Sequence, residues 1–136
     1  MTFVDASAYL AAIRSSDPNH RQALNILQII TTTHEPMVTS WAILGEVLTV
    51  TSMRFSRQAG IQTIEKIMAD PNTKILLESQ ELTSRALNIF KTIPNKNVSW
   101  VDCYSFAIIN QFKIDKIFSF DNDFKKHTQV ELWQKI

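Results

Sequence analysis

The sequence predicts an α/β domain of three layers, a central parallel sheet flanked on both faces by helices. Two observations carry this. Short apolar runs alternate with longer stretches of helical period, the mark of strand–helix–strand crossovers and a parallel sheet. The chain also has only two glycines, Gly45 and Gly60, and both fall in helical patterns. No flexible linker, low-complexity stretch or internal repeat divides residues 1–136, so a single domain is expected.

The spacing predicts a strand over 2–5 and a short helix over 6–14. Asp17-Pro18 reads as a helix start, with Asp as cap and Pro in the first turn. That helix continues through Ala23, Leu24, Leu27 and Ile30. A short strand is expected over 36–39. Thr39 or Ser40 then caps a helix to about Arg54. Ser56 caps another, through Ile61, Ile64, Ile67 and Met68, which stops before Asp70-Pro71. Residues 74–77 read as a strand, and Ser79 opens a helix to about Thr92. Residues 99–112 read as helix, 116–120 as strand, 122–127 as one or two helical turns and 130–133 as a last, weak strand.

The chain's 136 residues suffice to bury a core. Its 45% apolar and 20% charged residues are those of a soluble globular protein. A net charge of +1 supplies no global field for a polyanion, so nucleic-acid binding needs a local basic patch. The single cysteine, Cys103, cannot form an internal disulfide and is compatible with a reducing cytosol. No apolar run approaches the ~20 residues needed to span a bilayer. The first residues lack the basic start and long apolar stretch of a signal peptide. A cytoplasmic location without membrane association is the expectation.

Five acids stand where apolar stretches end or helices begin: Asp5, Glu46, Asp102, Asp121 and Asp123. A carboxylate beside a buried strand or on an apolar helix is costly unless its charge is compensated. Several converging would repel one another, and a hard divalent cation is the usual compensation. Each acid also has a plainer reading. Asp5, after a strand, can cap the next helix. Asp102 closes Ser99-Trp-Val-Asp102, the form of a capping box. Asp121-Asn-Asp123 can be turn chemistry. Glu46 is harder to dismiss. Its helical neighbours are Ala42, Ile43, Thr49 and Val50, and none is a cation that could pair with it. Simple exposure on a narrow polar strip is its alternative. On a parallel sheet, Asp5 and Asp121 fall at carboxyl ends of strands, with Glu46 and Asp102 near the starts of helices that follow loops. All four can face the edge where such sheets bind ligands.

Other chemistries fit less well. His20, His34 and His127 have no zinc-ligand spacing with one another or with Cys103. Neither glycine sits in a phosphate-cradling loop, and no serine sits in a nucleophile elbow. A phosphatase built on an aspartate nucleophile needs a second aspartate two residues on, where Ser7 stands. Cys103 and the three tryptophans, Trp41, Trp100 and Trp133, read as core.

In four segments and their order, the chain resembles PIN domains, and among them the VapC-type toxin ribonucleases of toxin–antitoxin pairs. The segments are Phe3-Val-Asp-Ala-Ser7; Thr39-Ser40 followed by Glu46-Val47; Ser99-Trp-Val-Asp-Cys103 with Ala107; and Ser119-Phe-Asp-Asn-Asp-Phe124. The resemblance implies magnesium- or manganese-dependent hydrolysis of RNA phosphodiester bonds. Asp5, Glu46, Asp102, Asp121 and Asp123 would be catalytic. Asp5, Asp102, Asp121 and Asp123 would hold the Mg2+ or Mn2+, with Ser7 and Ser119 supporting them. Ser119 and Cys103 stand where the family often has threonine and alanine. Arg14, Arg54, Arg57 and Lys125, with Lys113 and Lys126, are candidates to hold the RNA backbone, although each also reads as solvated surface charge. An antitoxin partner and a homodimer are implied, the pair of helices over 41–54 and 56–68 being a candidate dimer face. A non-toxin RNA-processing nuclease, or a catalytically silent RNA- or protein-binding module, is the alternative.

Overall fold

The structure is a computed structural model and describes residues 1–133. Twelve elements follow one another among these residues. They are β1 (Thr2–Val4), α1 (Ala6–Ile13), α2 (His20–Thr32), β2 (Met37–Ser40), α3 (Trp41–Arg54), α4 (Arg57–Ala69), β3 (Thr73–Leu76), α5 (Gln80–Thr92), α6 (Trp100–Phe112), β4 (Lys116–Phe118), α7 (Asp123–His127) and β5 (Glu131–Leu132). The strands form one sheet in the order β3-β2-β1-β4-β5. All four pairings are parallel, with Phe3 opposite Val38 on one side and Ile117 on the other. The α/β reading from sequence is the architecture found.

Strand order explains where a site can form. The chain winds outward from β1 through β2 to β3, then returns to lay β4 on the other side of β1. The crossovers leaving β1 and β4 therefore diverge, and a crevice opens outside their carboxyl ends. β1 is buried throughout, as expected of a central parallel strand with both faces covered. Phe3, Val4, Ile117 and Phe118 from the two strands join Ile43, Leu44, Ile108 and Ile109 from α3 and α6 in the core.

Local capping sets most helix starts as the sequence predicts. Ser40, Ser56, Ser79 and Ser99 each accept a backbone N–H of their helix's first turn. Two boundaries differ by two residues or more. Asp17 does not cap α2. Its side chain accepts from Asn19 N–H at 2.8 Å and its carbonyl from His20 N–H at 3.0 Å, so Asp17-Pro18 is spent on a turn and the helix begins at His20. β4 also ends at Phe118, two residues before the expected 120. Ser119 follows the end of the ladder, and its hydroxyl donates to Asp5 at 2.9 Å. Tight packing fixes α7: the ring of Phe124, fully buried, meets Phe106 of α6 edge-on at 5.2 Å and Phe3 of β1 at 6.4 Å.

Candidate active site

Asp5 follows β1 and caps α1, and the residue is 5% exposed. Its Oδ2 accepts three hydrogen bonds: from Ser7 N–H at 3.2 Å, Ser7 Oγ at 2.6 Å and Ser119 Oγ at 2.9 Å. The same two hydroxyls accept backbone N–H groups of the segment after β4. Phe120 donates to Ser7 Oγ and Asp121 to Ser119 Oγ, both at 3.0 Å. A serine hydroxyl has one proton. With both protons directed at Asp5, the 3.1 Å approach of the two hydroxyls is a contact rather than a third bond. Two serines thus stitch the turn after β1 to the turn after β4.

Asp121 follows directly. Its Oδ1 accepts from Asp123 N–H at 2.8 Å and does the capping of α7 that Asn122 leaves undone. Asp123 is paired at 3.3 Å with Lys126 on the next turn. Asp102 closes the capping box of α6. Ser99 N–H donates to its Oδ2 at 2.8 Å, and Asp102 N–H donates to Ser99 Oγ at 3.1 Å. Glu46 sits on the exposed side of α3, one and a half turns from the Ser40 cap.

The electrostatics of this edge differ from those of the opposite one. Glu35, where β2 begins, pairs with the Met1 amine at 2.9 Å and Lys116 at 3.5 Å; chiefly through the amine, its carboxyl lies below the ordinary range. At the carboxyl edge the shifts run the other way. Burial raises the Asp5 carboxyl, against the opposing hydrogen bonds of Ser7 and Ser119. Burial by the crowd around it raises Glu46, although its surface is open to solvent, and the charges of Asp5, Asp102 and Asp121 raise it further. Asp102 is raised by burial first and by Asp121 and Asp123 among lesser causes, with its capping bonds opposing. No lysine or arginine among the described residues pairs with Asp5, Glu46, Asp102 or Asp121.

The fold therefore brings Glu46 within charge range of Asp5, Asp102 and Asp121, and Asp102 within range of Asp121 and Asp123. Among the described residues, no three acidic, His or Cys side chains already converge into one coordination shell. That placement still suits a magnesium-like ion, which keeps several waters and takes only one or two carboxylates at a time. The all-oxygen donor set and the uncompensated charge fit a hard cation.

The basic candidates separate. Arg14 caps the far end of the helix that Asp5 opens, roughly 12 Å of helix away at ~1.5 Å per residue. Arg54 ends α3, and the two arginines line one small crevice with Asp17 and Phe55. Arg57 is exposed at the start of α4, and Lys113 ends α6, the opposite end from Asp102. Lys125 and Lys126 are exposed on α7 beside Asp121 and Asp123. Sequence reasoning assigned Trp100 to the core, yet it is 39% exposed in the first turn of α6. The signal available was its place at the first helical position, where a side chain lies outside the packed turns.

The family model of the PIN domain matches residues 2–129. This chain belongs to the PIN-domain family. No curated protein matches this PIN chain. Among solved structures it is similar to Mycobacterium tuberculosis VapC20, a toxin that cleaves the sarcin-ricin loop. The TM-score is 0.83 at 24% identity, over 96% of this chain and 98% of that one. It is similar also to VapBC2 from Rickettsia felis, bound to a DNA fragment from its promoter (TM-score 0.66, 12% identity, 96% of each chain). FitAcB from Neisseria gonorrhoeae matches with a TM-score of 0.67 at 16% identity, over 97% of this chain and 96% of that one. At such identities the likeness is one of fold: this PIN domain shares the VapC architecture. No helix among the described residues is long and apolar enough to cross a membrane.

Proposed function

We propose that this PIN domain is a divalent-metal-dependent ribonuclease and the toxin member of a toxin–antitoxin pair. The observation that carries the reading is the Glu46 carboxyl, raised by burial and then by the charges of Asp5, Asp102 and Asp121, acids far from it in sequence, with no cationic partner among the described residues. Such an arrangement is unfavourable for folding alone and becomes favourable when a cation is bound. The family and the VapC-like fold support nuclease chemistry and an antitoxin partner.

In this reading Asp5, Asp102, Asp121 and Asp123 hold Mg2+ or Mn2+, and Glu46 completes the catalytic set. The bound cation would supply neutralisation of the clustered charge, a more acidic water and stabilisation of negative charge developing on the phosphate. The chain's own groups do the positioning. Asp5 has Oδ2 held by Ser7 and Ser119, which fixes the direction of its carboxylate. The capping box holds Asp102 on a rigid helix start. Glu46, with its proton affinity raised, would exchange a proton with the attacking water or the leaving oxygen. Lys125 and Lys126 provide local positive charge for an RNA backbone, and a cytoplasmic setting and a homodimer belong to the same reading.

The test is RNA cleavage with Mg2+ or Mn2+ by the wild type, Asp5→Asn and Asp102→Asn. Loss of activity by at least about 100-fold in each variant is expected, the scale on which removal of one charge-stabilising group acts. Equal activity in all three proteins would reject the site.

A further inference from the structure

The loop that leads into Asp102 carries a feature the carboxylates do not use. Phe90, Ile93, Pro94, Asn95, Lys96 and Val98 line a surface crevice of about 290 Å3. That lies near the lower end of the ~300–1,000 Å3 in which small ligands sit. Its aromatic wall, Phe90 on the last turns of α5, is 46% exposed. Trp100 stands edge-on to Phe90, with ring centres 6.2 Å apart, and is itself 39% exposed. Lys96 is exposed and makes no ion pair among the described residues. The crevice also adjoins the site. Val98 is next in sequence to Ser99, whose N–H is bonded to Asp102 Oδ2 at 2.8 Å.

Large aromatic surface left open to water beside a free ammonium matches the way proteins hold unpaired nucleotides: a ring for the base, a cation for the phosphate. A peptide segment would satisfy the apolar wall and leave the lysine without a role. Building on the proposed ribonuclease activity, we propose that this crevice seats one unpaired nucleotide of the RNA substrate next to the scissile position. The base lies against Phe90, and Trp100 braces that ring. Lys96 meets the phosphate. This makes the preferred substrate single-stranded at the nucleotide flanking the cut.

Binding and cleavage are tested separately. The probe for binding is a short single-stranded oligoribonucleotide in EDTA, followed by fluorescence anisotropy, with a fully paired RNA of equal length as control. Phe90→Ala is expected to weaken single-strand binding by about 5- to 100-fold, the range for one base–aromatic stack. Phe90→Tyr should retain it, and duplex binding should not change. Lys96→Glu should weaken binding and lower the salt slope by about 0.7, one phosphate contact on a single strand. In cleavage with Mg2+ or Mn2+, both variants should raise KM more than they lower kcat. Unchanged binding and KM in Phe90→Ala and Lys96→Glu would overturn the crevice while leaving the ribonuclease reading intact. Loss of binding to a copurifying antitoxin, with RNA affinity unchanged, would also overturn it and assign the crevice to a protein. A wild type that cleaves no RNA would sink the ribonuclease reading, whereas the EDTA titrations would still decide whether the crevice takes RNA.

Discussion

At the scale of single residues, Glu46 shows how much one side chain's surroundings can reveal. The sequence offers it no cation at helical spacing, and the structure adds none. Its carboxyl is raised by burial and by three other acids, so folded Glu46 holds its proton more tightly than unfolded Glu46. The folded state therefore loses stability as pH rises from the ordinary glutamate value of 4.5 through the raised one. Glu46→Gln should make the metal-free protein more heat-stable at pH 8, by up to about 1 kcal/mol because an exposed group is screened. The gain should vanish below pH 4.5, where both states are protonated. Melting curves in EDTA across pH decide this, and a variant that melts lower at pH 8 would mean the repulsion is absent. Ser119 makes a second case. Ser119→Ala removes a donor to Asp5 and an acceptor for Asp121 N–H, costing about 1–3 kcal/mol for the buried groups left unpaired. RNA cleavage should fall about 10- to 100-fold, as when the groups that orient a metal ligand are lost. Ser105→Ala, an equally buried hydroxyl that bonds only within α6, should cost stability and leave cleavage near the wild-type level.

At the scale of elements, the two glycines on α3 and α4 make opposite predictions. A Cβ on Gly45 would meet nothing within 4 Å, and the residue is exposed in mid-helix. Gly45→Ala should stabilise the protein by up to about 1 kcal/mol through helix propensity. A Cβ on Gly60 would press on Ser52 Oγ and stand 3.0 Å from the Leu48 carbonyl. The hydroxyl can rotate away, but the backbone carbonyl cannot. Gly60→Ala should therefore cost about 1–3 kcal/mol of overpacking and shift the helix that carries Glu46. Chemical denaturation of the two variants tests both. Element positions were largely legible from the sequence because apolar period and serine caps are local signals. Asp17 misled because an aspartate before proline makes a turn as readily as a cap. The serine stitch was not legible as geometry. It depends on β1 lying beside β4, a pairing across more than a hundred residues that no local pattern encodes. The same limit hides the reach of the basic residues, since Arg14 and Arg54 are carried away from Asp5 and Ser40 by the lengths of α1 and α3.

At the scale of the whole molecule, the apolar surface left exposed bears on assembly. Met53 and Phe55 at the end of α3, and Ile61 and Met68 on α4, are 83%, 57%, 50% and 51% exposed. Exposed apolar side chains so concentrated on one helical hairpin mark an interface more often than bare surface. The homodimer proposed above would use it. Phe55→Glu should convert the dimer to monomer in light scattering at micromolar concentration, with secondary structure unchanged. An unaltered mass would move the dimer contact elsewhere.

The stitch between Asp5 and Ser119 joins residues 114 positions apart. Ribosomes add about 5–20 residues each second, so roughly 6 to 23 seconds pass between making the first partner and making the second. Throughout that interval a nascent polypeptide has Asp5 and the Ser7 hydroxyl but neither the Ser119 hydroxyl nor the Asp121 that follows. A half-made copy thus lacks part of the carboxylate arrangement, and the proposed activity could arise only after Asp121 has been added.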